Sequence, residues 1–305
     1  MTEETQAALI RCGFVALIGA PNAGKSTLLN QMVGGKVAIV THKVQTTRSR
    51  LRGITAEDQS QIIFVDTPGI FAPRRKLDEA MVEAAWSGAS DADVTVLLVD
   101  ARGGLTEEVQ AILDGLVKAR LSAVLALNKT DVAKRDDLLV LAETFNARMS
   151  FEQTFMISAE TGDGVADLRQ YLATRMPVSP WLYPEDQMAD VPLRQMAAEV
   201  TREKVFLRLH QELPYASTVE IESWKELRDK SIRISQVLYV ERESQRKIAL
   251  GKQGQTIKAI GKAAREELQE LLGVKVHLFL FVKVRENWGR DPERFEHMGL
   301  EYPKT

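Results

Sequence analysis

Apolar residues gather in short unbroken runs through the first half of the chain: FVALIG (14–19), IIFVD (62–66), VTVLLVD (94–100), SAVLALNK (122–129) and QTFMIS (153–158). Runs of this kind, separated by helical stretches, predict buried strands of a largely parallel sheet covered by helices on both faces. The pattern breaks at MPVSPWLYPEDQMADVP (176–192), which holds four prolines in seventeen residues; proline lacks the N–H that helices and ladders need, so this segment reads as a linker. A different pattern then resumes. Leu193, Met196, Val200 and Leu207 mark an amphipathic helix over 193–211, while STVEIESW (217–224) and SIRISQVLYVER (231–242) read as strands. The last run, VKVHLFLFVKV (274–284), alternates strictly and sets Val274, Val276, Leu278, Leu280, Val282 and Val284 on one face. The second half thus has the order α-β-β-α-α-β.

Composition supports two cores, since 305 residues with 45% hydrophobic and 27% charged side chains exceed one ordinary domain. No apolar run reaches the length of a membrane span, and the opening MTEETQAALIRCGF is acidic, unlike a signal peptide, so the expected compartment is the cytoplasm. Cys12 is the single cysteine and can form no internal disulfide. His42, His210, His277 and His297 lack metal-ligand spacing. Charge divides unevenly: residues 1–192 hold 19 basic and 25 acidic side chains, net −6, whereas 193–305 hold 21 and 17, net +4. The two halves therefore suit different partners.

The chemistry of the first half begins directly after its first strand, at GAPNAGKST: Gly19, Ala20, Pro21, Asn22, Ala23, Gly24, Lys25, Ser26 and Thr27. Gly19 and Gly24 let the backbone curl so that its N–H groups face phosphate oxygens, and the following helix contributes a positive dipole end. Lys25 in such a loop reaches the β- and γ-phosphates, and the Ser26 hydroxyl ligates Mg2+. DTPG (Asp66, Thr67, Pro68, Gly69) closes a later strand, where Asp66 holds the Mg2+ shell through water and Gly69 offers a backbone N–H to the γ-phosphate.

NKTD (128–131) and SAE (Ser158, Ala159, Glu160) also end strands and resemble the guanine-recognition segments of the GTPase superfamily. The Asp131 carboxylate can accept two hydrogen bonds from guanine's ring N–H and amine, which adenine does not offer. Asn128 and Lys129 then support the loop and cover the base, and Ala159 gives its N–H to the guanine oxygen. The four motifs in order select GTP and GDP over adenine nucleotides. By resemblance to loops of the QTTR type, HKVQTTRSR (42–50) supplies Thr47, in preference to Thr46, as the switch threonine on Mg2+. Catalysis is thus expected to rest on Lys25, Thr47 and Gly69, with water as the acceptor. One departure stands out: Ile70 and Phe71 follow DTPG where a water-positioning glutamine would stand in Ras-like enzymes, so unaided hydrolysis is expected to be slow, roughly 10⁻³ s⁻¹ or below.

IALGKQGQTIKAIGKAA (248–264) offers two further Gly-Lys pairs, but the glycine that a phosphate loop needs five residues earlier is Arg246 in one case and Thr256 in the other. What remains is Gly251-Lys252-Gln253-Gly254, a G-x-x-G turn between a short strand, KIAL (247–250), and a helix bearing Ile257 and Ile260. With the α-β-β-α-α-β order it resembles the RNA clamp of the bacterial, type II, KH fold, with Lys252 and Lys258 supplying charge. Its groove would read about four bases along Ile248, Leu250 and Ile257, with Val237 or Tyr239 beyond them.

Together GAPNAGKST, QTTR, DTPG, NKTD, SAE, ELPYA (212–216), VERESQRKIALGKQGQTIKAIG and VKVRENW resemble the Era family of bacterial ribosome-assembly GTPases over residues 11–303. The expected organisation is an α/β P-loop GTPase domain with a mostly parallel, doubly wound sheet (11–178), a Pro-rich linker (179–192), a smaller α+β type II KH domain (193–285) and a C-terminal tail (286–305). The resemblance implies a GTP-hydrolysing switch that binds 16S rRNA near its 3′ end and assists maturation of the 30S subunit, with peripheral association at the inner membrane. In similar GTPases an asparagine at the place of Asn22 helps bind K+, which implies the same here. Two other classes compete: a P-loop phosphotransferase, and a constitutive RNA-binding protein whose nucleotide is structural.

Overall fold

The computed structural model describes residues 9–41, 43, 47–48, 51–292, 295 and 298–303. The chain forms two compact units. One comprises Met1–Ala38, Thr47–Asp190 and Met298–Thr305; the other comprises Ile39–Thr46 and Val191–His297.

The first unit is built on a six-stranded sheet of order β2-β3-β1-β4-β5-β6. Its strands are β1 (Arg11–Gly19), β2 (Leu51–Glu57), β3 (Ser60–Asp66), β4 (Val94–Asp100), β5 (Val124–Asn128) and β6 (Thr154–Met156), all parallel except β2, which runs antiparallel to β3. Helices α1 (Lys25–Val33), α2 (Lys76–Asp91), α3 (Glu107–Ala119), α4 (Arg135–Arg148) and α5 (Val165–Arg175) connect the strands. Each apolar run of the sequence became a strand of this sheet. Strand β2 has no such run because it is an edge: in LRGITAE the Arg52 side chain stays exposed while Leu51 and Ile54, on opposite faces, are buried. One core cluster joins Ile18, Leu97, Val99, Leu125 and Leu127 of the strands to Ile112, Leu113, Leu116 and Phe145 of α3 and α4. Thr106 begins α3 by accepting a hydrogen bond from the Val109 N–H at 3.3 Å.

The proline-rich segment does not hang free between the units. Pro177 O accepts from the Cys12 N–H, and the buried Gln61 amide holds three backbone groups: its Oε1 accepts from Leu182 N (2.9 Å) and Tyr183 N (3.1 Å), and its Nε2 donates to Tyr183 O (2.8 Å). Further on, Ile54 N donates to Met188 O, Asp190 N donates to Arg52 O, and Ala189 bridges to Gly53. Residues 177–190 are therefore strapped to β3 and along the outer edge of β2.

The second unit has a three-stranded sheet, β7-β8-β9, made of β7 (Ser217–Glu226), β8 (Ile232–Val240) and β9 (Val276–Val284). β7 and β8 are antiparallel with a bulge between Ile221 and Ser223, and β8 and β9 are parallel. Helices α6 (Leu193–Arg208), α7 (Glu243–Leu250) and α8 (Gln255–Leu272) complete the expected α-β-β-α-α-β order. KIAL is not a strand: it is the last turn of α7. Gln245 Oε1 caps that helix by accepting from the Glu241 and Arg242 N–H groups at 2.9 and 3.1 Å, and ESQRKIAL consists mostly of good helix formers. Past the last strand, buried Trp288 donates its Nε1–H to Ala216 O at 3.0 Å, which fastens the VKVRENW segment to ELPYA.

Replacing Gln61 by Leu keeps the volume but strands the Leu182 and Tyr183 N–H groups. Gln61→Leu is expected to lower the stability of the first unit by about 1–3 kcal/mol, read as a lower urea midpoint.

Candidate active site and nucleic-acid interface

β1, β3, β4 and β5 end together at one edge of the sheet, and their last residues are Gly19, Asp66, Asp100 and Asn128. Ligands of open α/β sheets sit beyond the carboxyl ends of the strands, so chain topology alone collects the scattered motifs into one place. Within the phosphate loop, Gly24 has φ 100° and a Cβ there would lie 2.3 Å from Asn128 Nδ2. Only glycine fits both the left-handed backbone and the close approach.

Lys25 is buried, and its Nζ donates to the carbonyls of Gly19 and Ala20, each at 3.1 Å. Burial pushes its ammonium down to about 8, against the opposing pull of the Asp66 carboxylate. Ser26 Oγ donates to Asp66 Oδ2 at 2.8 Å, Thr47 Oγ1 donates to the same oxygen at 3.0 Å, and the two hydroxyls lie 2.9 Å apart. Burial raises the Asp66 carboxyl above its ordinary range, and Lys25, Ser26 and Thr47 each pull it back. The other oxygen, Asp66 Oδ1, is buried with no hydrogen-bond partner among the described residues. A partnerless buried carboxylate oxygen flanked by two hydroxyls is the donor set of a hard divalent cation, and Ser26, Thr47 and Asp66 fit Mg2+. Thr47 is thus brought to the place expected of the switch threonine; Thr46 lies outside the described residues.

DTPG packs against the phosphate loop. Thr67 Oγ1 donates to Leu17 O at 2.8 Å, Ile70 N donates to Gly19 O at 3.1 Å, and a Cβ on Gly69 would come within 3.1 Å of Pro21 backbone atoms. Ile70 is buried in the core cluster.

On the base side, Asn128 braces two loops: its Nδ2 donates to Ala23 O at 2.8 Å and its Oδ1 accepts from Ala159 N at 2.9 Å. The expected donor to the guanine oxygen, the Ala159 N–H, thus also bonds to Asn128. Ser158 Oγ donates to Asp131 Oδ1 at 2.7 Å, which aims this exposed carboxylate and leaves Oδ2 for the base. Lys129, held at φ 67°, donates to Asn22 O at 2.6 Å and to Asp100 Oδ2 at 2.8 Å. Asn22 itself is exposed, with φ 62°, Pro21 and Thr27 beside it are half-buried, and Glu160 and Lys134 lie outward on the base-side loops. Two participants escaped the sequence reading, Asp100 and Arg102. Burial alone would raise the Asp100 carboxyl, but hydrogen bonds from Arg102 and then Lys129 hold it down at about 2. The available signal was its position, since Asp100 ends VTVLLVD at the same sheet edge as Asp66 and Asn128.

The second unit presents the G-x-x-G turn between α7 and α8. Gly251 has φ 71° and a Cβ there would strike Thr256 Oγ1 at 2.1 Å, while Gln253 and Gly254 also lie in the left-handed region at φ 52° and 76°. Lys252, Gln253 and Lys258 are exposed, Ile248 is 60% exposed, and Leu250 and Ile257 are half-buried beside them. The residues named for the clamp thus lie around this turn, which follows a helix and not a strand, and one further correction applies. Gln236, Leu238 and Val240 of β8 face the helices, so Val237 and Tyr239 project from the opposite side of the sheet. The groove wall comes instead from edge strand β9, where Leu280 lies 3.9 Å from where a Cβ on Gly261 of α8 would stand.

Comparisons agree with both halves. The family model described as 50S ribosome-binding GTPase matches residues 14–129, and that of the KH domain matches 212–289. GTPase Era of Sinorhizobium medicae is 62% identical over 304 residues, covering 99% of this chain and 98% of that one. GTPase Era of Brucella suis is 61% identical over 300 residues, covering 98% and 96%. Among solved structures, an Aquifex aeolicus Era variant bound to GDP and AlF4− superposes with a TM-score of 0.90 at 36% identity, covering 95% of this chain and 99% of that one. An Era in complex with MgGDPNP and nucleotides 1506–1542 of 16S ribosomal RNA gives the same values.

The folded pKa of Lys25, about 8, lies below its ordinary value of 10.5, so the fold gains stability as pH rises from about 8 toward 10.5. Nucleotide phosphates restore the charged form. GDP binding at pH 8 should accordingly take up about half a proton, and near pH 6 almost none, as measured by calorimetry in buffers of different ionisation enthalpy.

Proposed function

Because the chain belongs to the Era family of GTPases, we propose that it is a GTP-hydrolysing switch whose KH domain binds 16S ribosomal RNA near its 3′ end and assists assembly of the 30S subunit. The reaction is GTP and water to GDP and phosphate. The phosphate loop, Gly19 to Thr27, wraps the phosphates, Lys25 swings from the Gly19 and Ala20 carbonyls to the β- and γ-phosphates, and Gly69 offers its N–H to the γ-phosphate. Mg2+, held by Ser26, Thr47 and Asp66, neutralises charge developing on the transferred phosphoryl group. Asp131, aimed by Ser158, reads the guanine edge, and Asn128 ties that loop to the phosphate loop. With Ile70 buried, no side chain beside Gly69 orients the attacking water, and the slow basal turnover suits a timer.

The observation that carries the switch reading is the division of one short loop. Thr47 hydrogen-bonds to Ser26 and Asp66 in the first unit, whereas Ile39–Thr46 belongs to the second. There Val40 N donates to the buried Glu203 of α6 at 2.9 Å, and Lys43 Nζ donates to the Phe206 and Leu209 carbonyls at the end of that helix. Glu203 pairs with Lys204 at 2.7 Å, and Lys204 pairs with Glu267 on α8, the helix that opens at the G-x-x-G turn. Loss of the γ-phosphate releases Thr47, and the same loop changes its hold on α6. Coupling requires that RNA affinity differ between the GTP and GDP states. This nucleotide-dependent output separates the switch from a constitutive RNA-binding protein, and the guanine-reading Asp131 separates it from a phosphotransferase. Asn22, exposed beside the phosphate loop, is assigned a K+ ion that adds positive charge near the β–γ bridge. Peripheral contact with the inner membrane stays within this reading; none of the described helices is long and apolar enough to cross a membrane.

Lys43→Met should leave nucleotide affinity within about three-fold while bringing the ratio of RNA affinities in the GDPNP and GDP states close to one. An unchanged ratio in an RNA titration would remove α6 from the coupling path. Turnover in K+ should exceed turnover in Na+, and Asn22→Ala should abolish the difference; equal wild-type rates in the two salts would dismiss the K+ assignment.

A further inference from the structure

Strand β9 walls the clamp with one set of side chains and carries another set on the far side of the sheet. That far side holds two aromatic rings in the open: Phe279 is 42% exposed and Phe281 is 50% exposed. Exposed large aromatics side by side on a strand are costly in water unless something covers them. The Arg233 guanidinium lies over the Phe279 ring at 4.7 Å. Register places the neighbours: Arg233 pairs with His277 on β9 and with Lys225 on β7, one row along from Phe279, while Lys283 pairs with Tyr239 one row beyond Phe281. The patch is thus an apolar centre between two cationic ends. Glu222 neutralises Lys283 and leaves the Arg233 end the more positive.

We propose that this outer face is a second RNA surface, a stacking platform for unpaired nucleotides that flank those held by the G-x-x-G clamp. It rests on the reading of the second unit as an RNA-binding KH domain. A KH clamp grips about four nucleotides, so a longer single strand must leave the groove, and the groove's own wall is the sheet edge beyond which Phe279 and Phe281 lie. Two residues apart on one strand, the rings are separated by about 6.7 Å, roughly twice the spacing of stacked bases, which suits splayed bases and not a duplex. Aromatic faces stack any base, and Arg233, Lys225 and His277 stand where the backbone phosphates of such bases would run. A membrane fits less well: the rings stand on a strand instead of at a loop tip, and Glu220 and Glu222 share the face.

The test uses the full-length protein and two fragments from the 3′ end of 16S rRNA, one of about four to six nucleotides that fills only the clamp and one several-fold longer. The Phe279→Ala, Phe281→Ala double variant is expected to bind the long fragment about ten-fold or more weakly and the short fragment within two-fold of wild type. The Phe279→Tyr, Phe281→Tyr variant, which keeps both rings, should restore binding, and Arg233→Gln should lower the salt slope by about one on the long fragment alone. Unchanged long-fragment affinity in the double alanine variant overturns the platform. So does an equal loss on both fragments, or loss of binding to phosphatidylglycerol vesicles with RNA affinity intact. If wild type binds neither fragment, or if Gly251→Asp with Gly254→Asp leaves the short fragment bound, the clamp reading itself fails and takes the platform with it.

Discussion

The nucleotide site depends on one buried carboxylate. Asp66 sits at the end of a central strand, out of reach of water, where an unpartnered charge is expensive. Lys25 and Ser26 at the start of α1 and Thr47 from the loop before β2 compensate it, and among the described residues its Oδ1 still has no donor. A divalent cation would give that oxygen its partner, and Thr47 Oγ1 stands 3.0 Å from the other one. In the switch reading proposed above, loop position and metal occupancy are a single variable.

In the same reading, the part of this loop that belongs to the second unit is tied down by short-range chemistry. Val40 bonds to Glu203 of α6, and Lys43 sits at the negative end of that helix's dipole, where a cation is favoured. From α6 the connection runs through the Glu203, Lys204 and Glu267 charges to α8 and its N-terminal clamp. Both helices pack on the same sheet, through Val200 and Leu268 in one cluster and Val205 and Ile260 in another. A displacement of α6 therefore cannot stay local, since packed cores yield in discrete steps.

The sequence exposed most of the site because its parts are local. GAPNAGKST, DTPG, NKTD and SAE each combine a buried strand with the residues immediately after it, and the parallel topology gathers strand ends at one edge. Features that rest on long-range partners were not legible. Strand β2 is half-polar because it is an edge, and nothing in LRGITAE announces its partner. KIAL has the composition of a strand, but the Gln245 cap that makes it helical acts from outside it. Val237 and Tyr239 were placed on the clamp side because alternation gives two faces without saying which one the helices cover. The Val40 to Glu203 contact spans 163 residues, and no pattern in either segment foretells it. Asp100 was overlooked for a different reason: no motif contains it, and only its strand-end position marks it.

The strap of residues 177–190 has a consequence for solubility. β2 is the outer strand of the sheet and follows directly after the switch loop, so each loop movement would uncover a row of backbone donors and acceptors. Unpaired edges of this kind are templates for pairing with other chains. By laying Met188, Ala189 and Asp190 along Arg52, Gly53 and Ile54, the protein occupies that edge with its own backbone. The nucleotide cycle can then move the loop without offering neighbouring molecules a strand on which to aggregate.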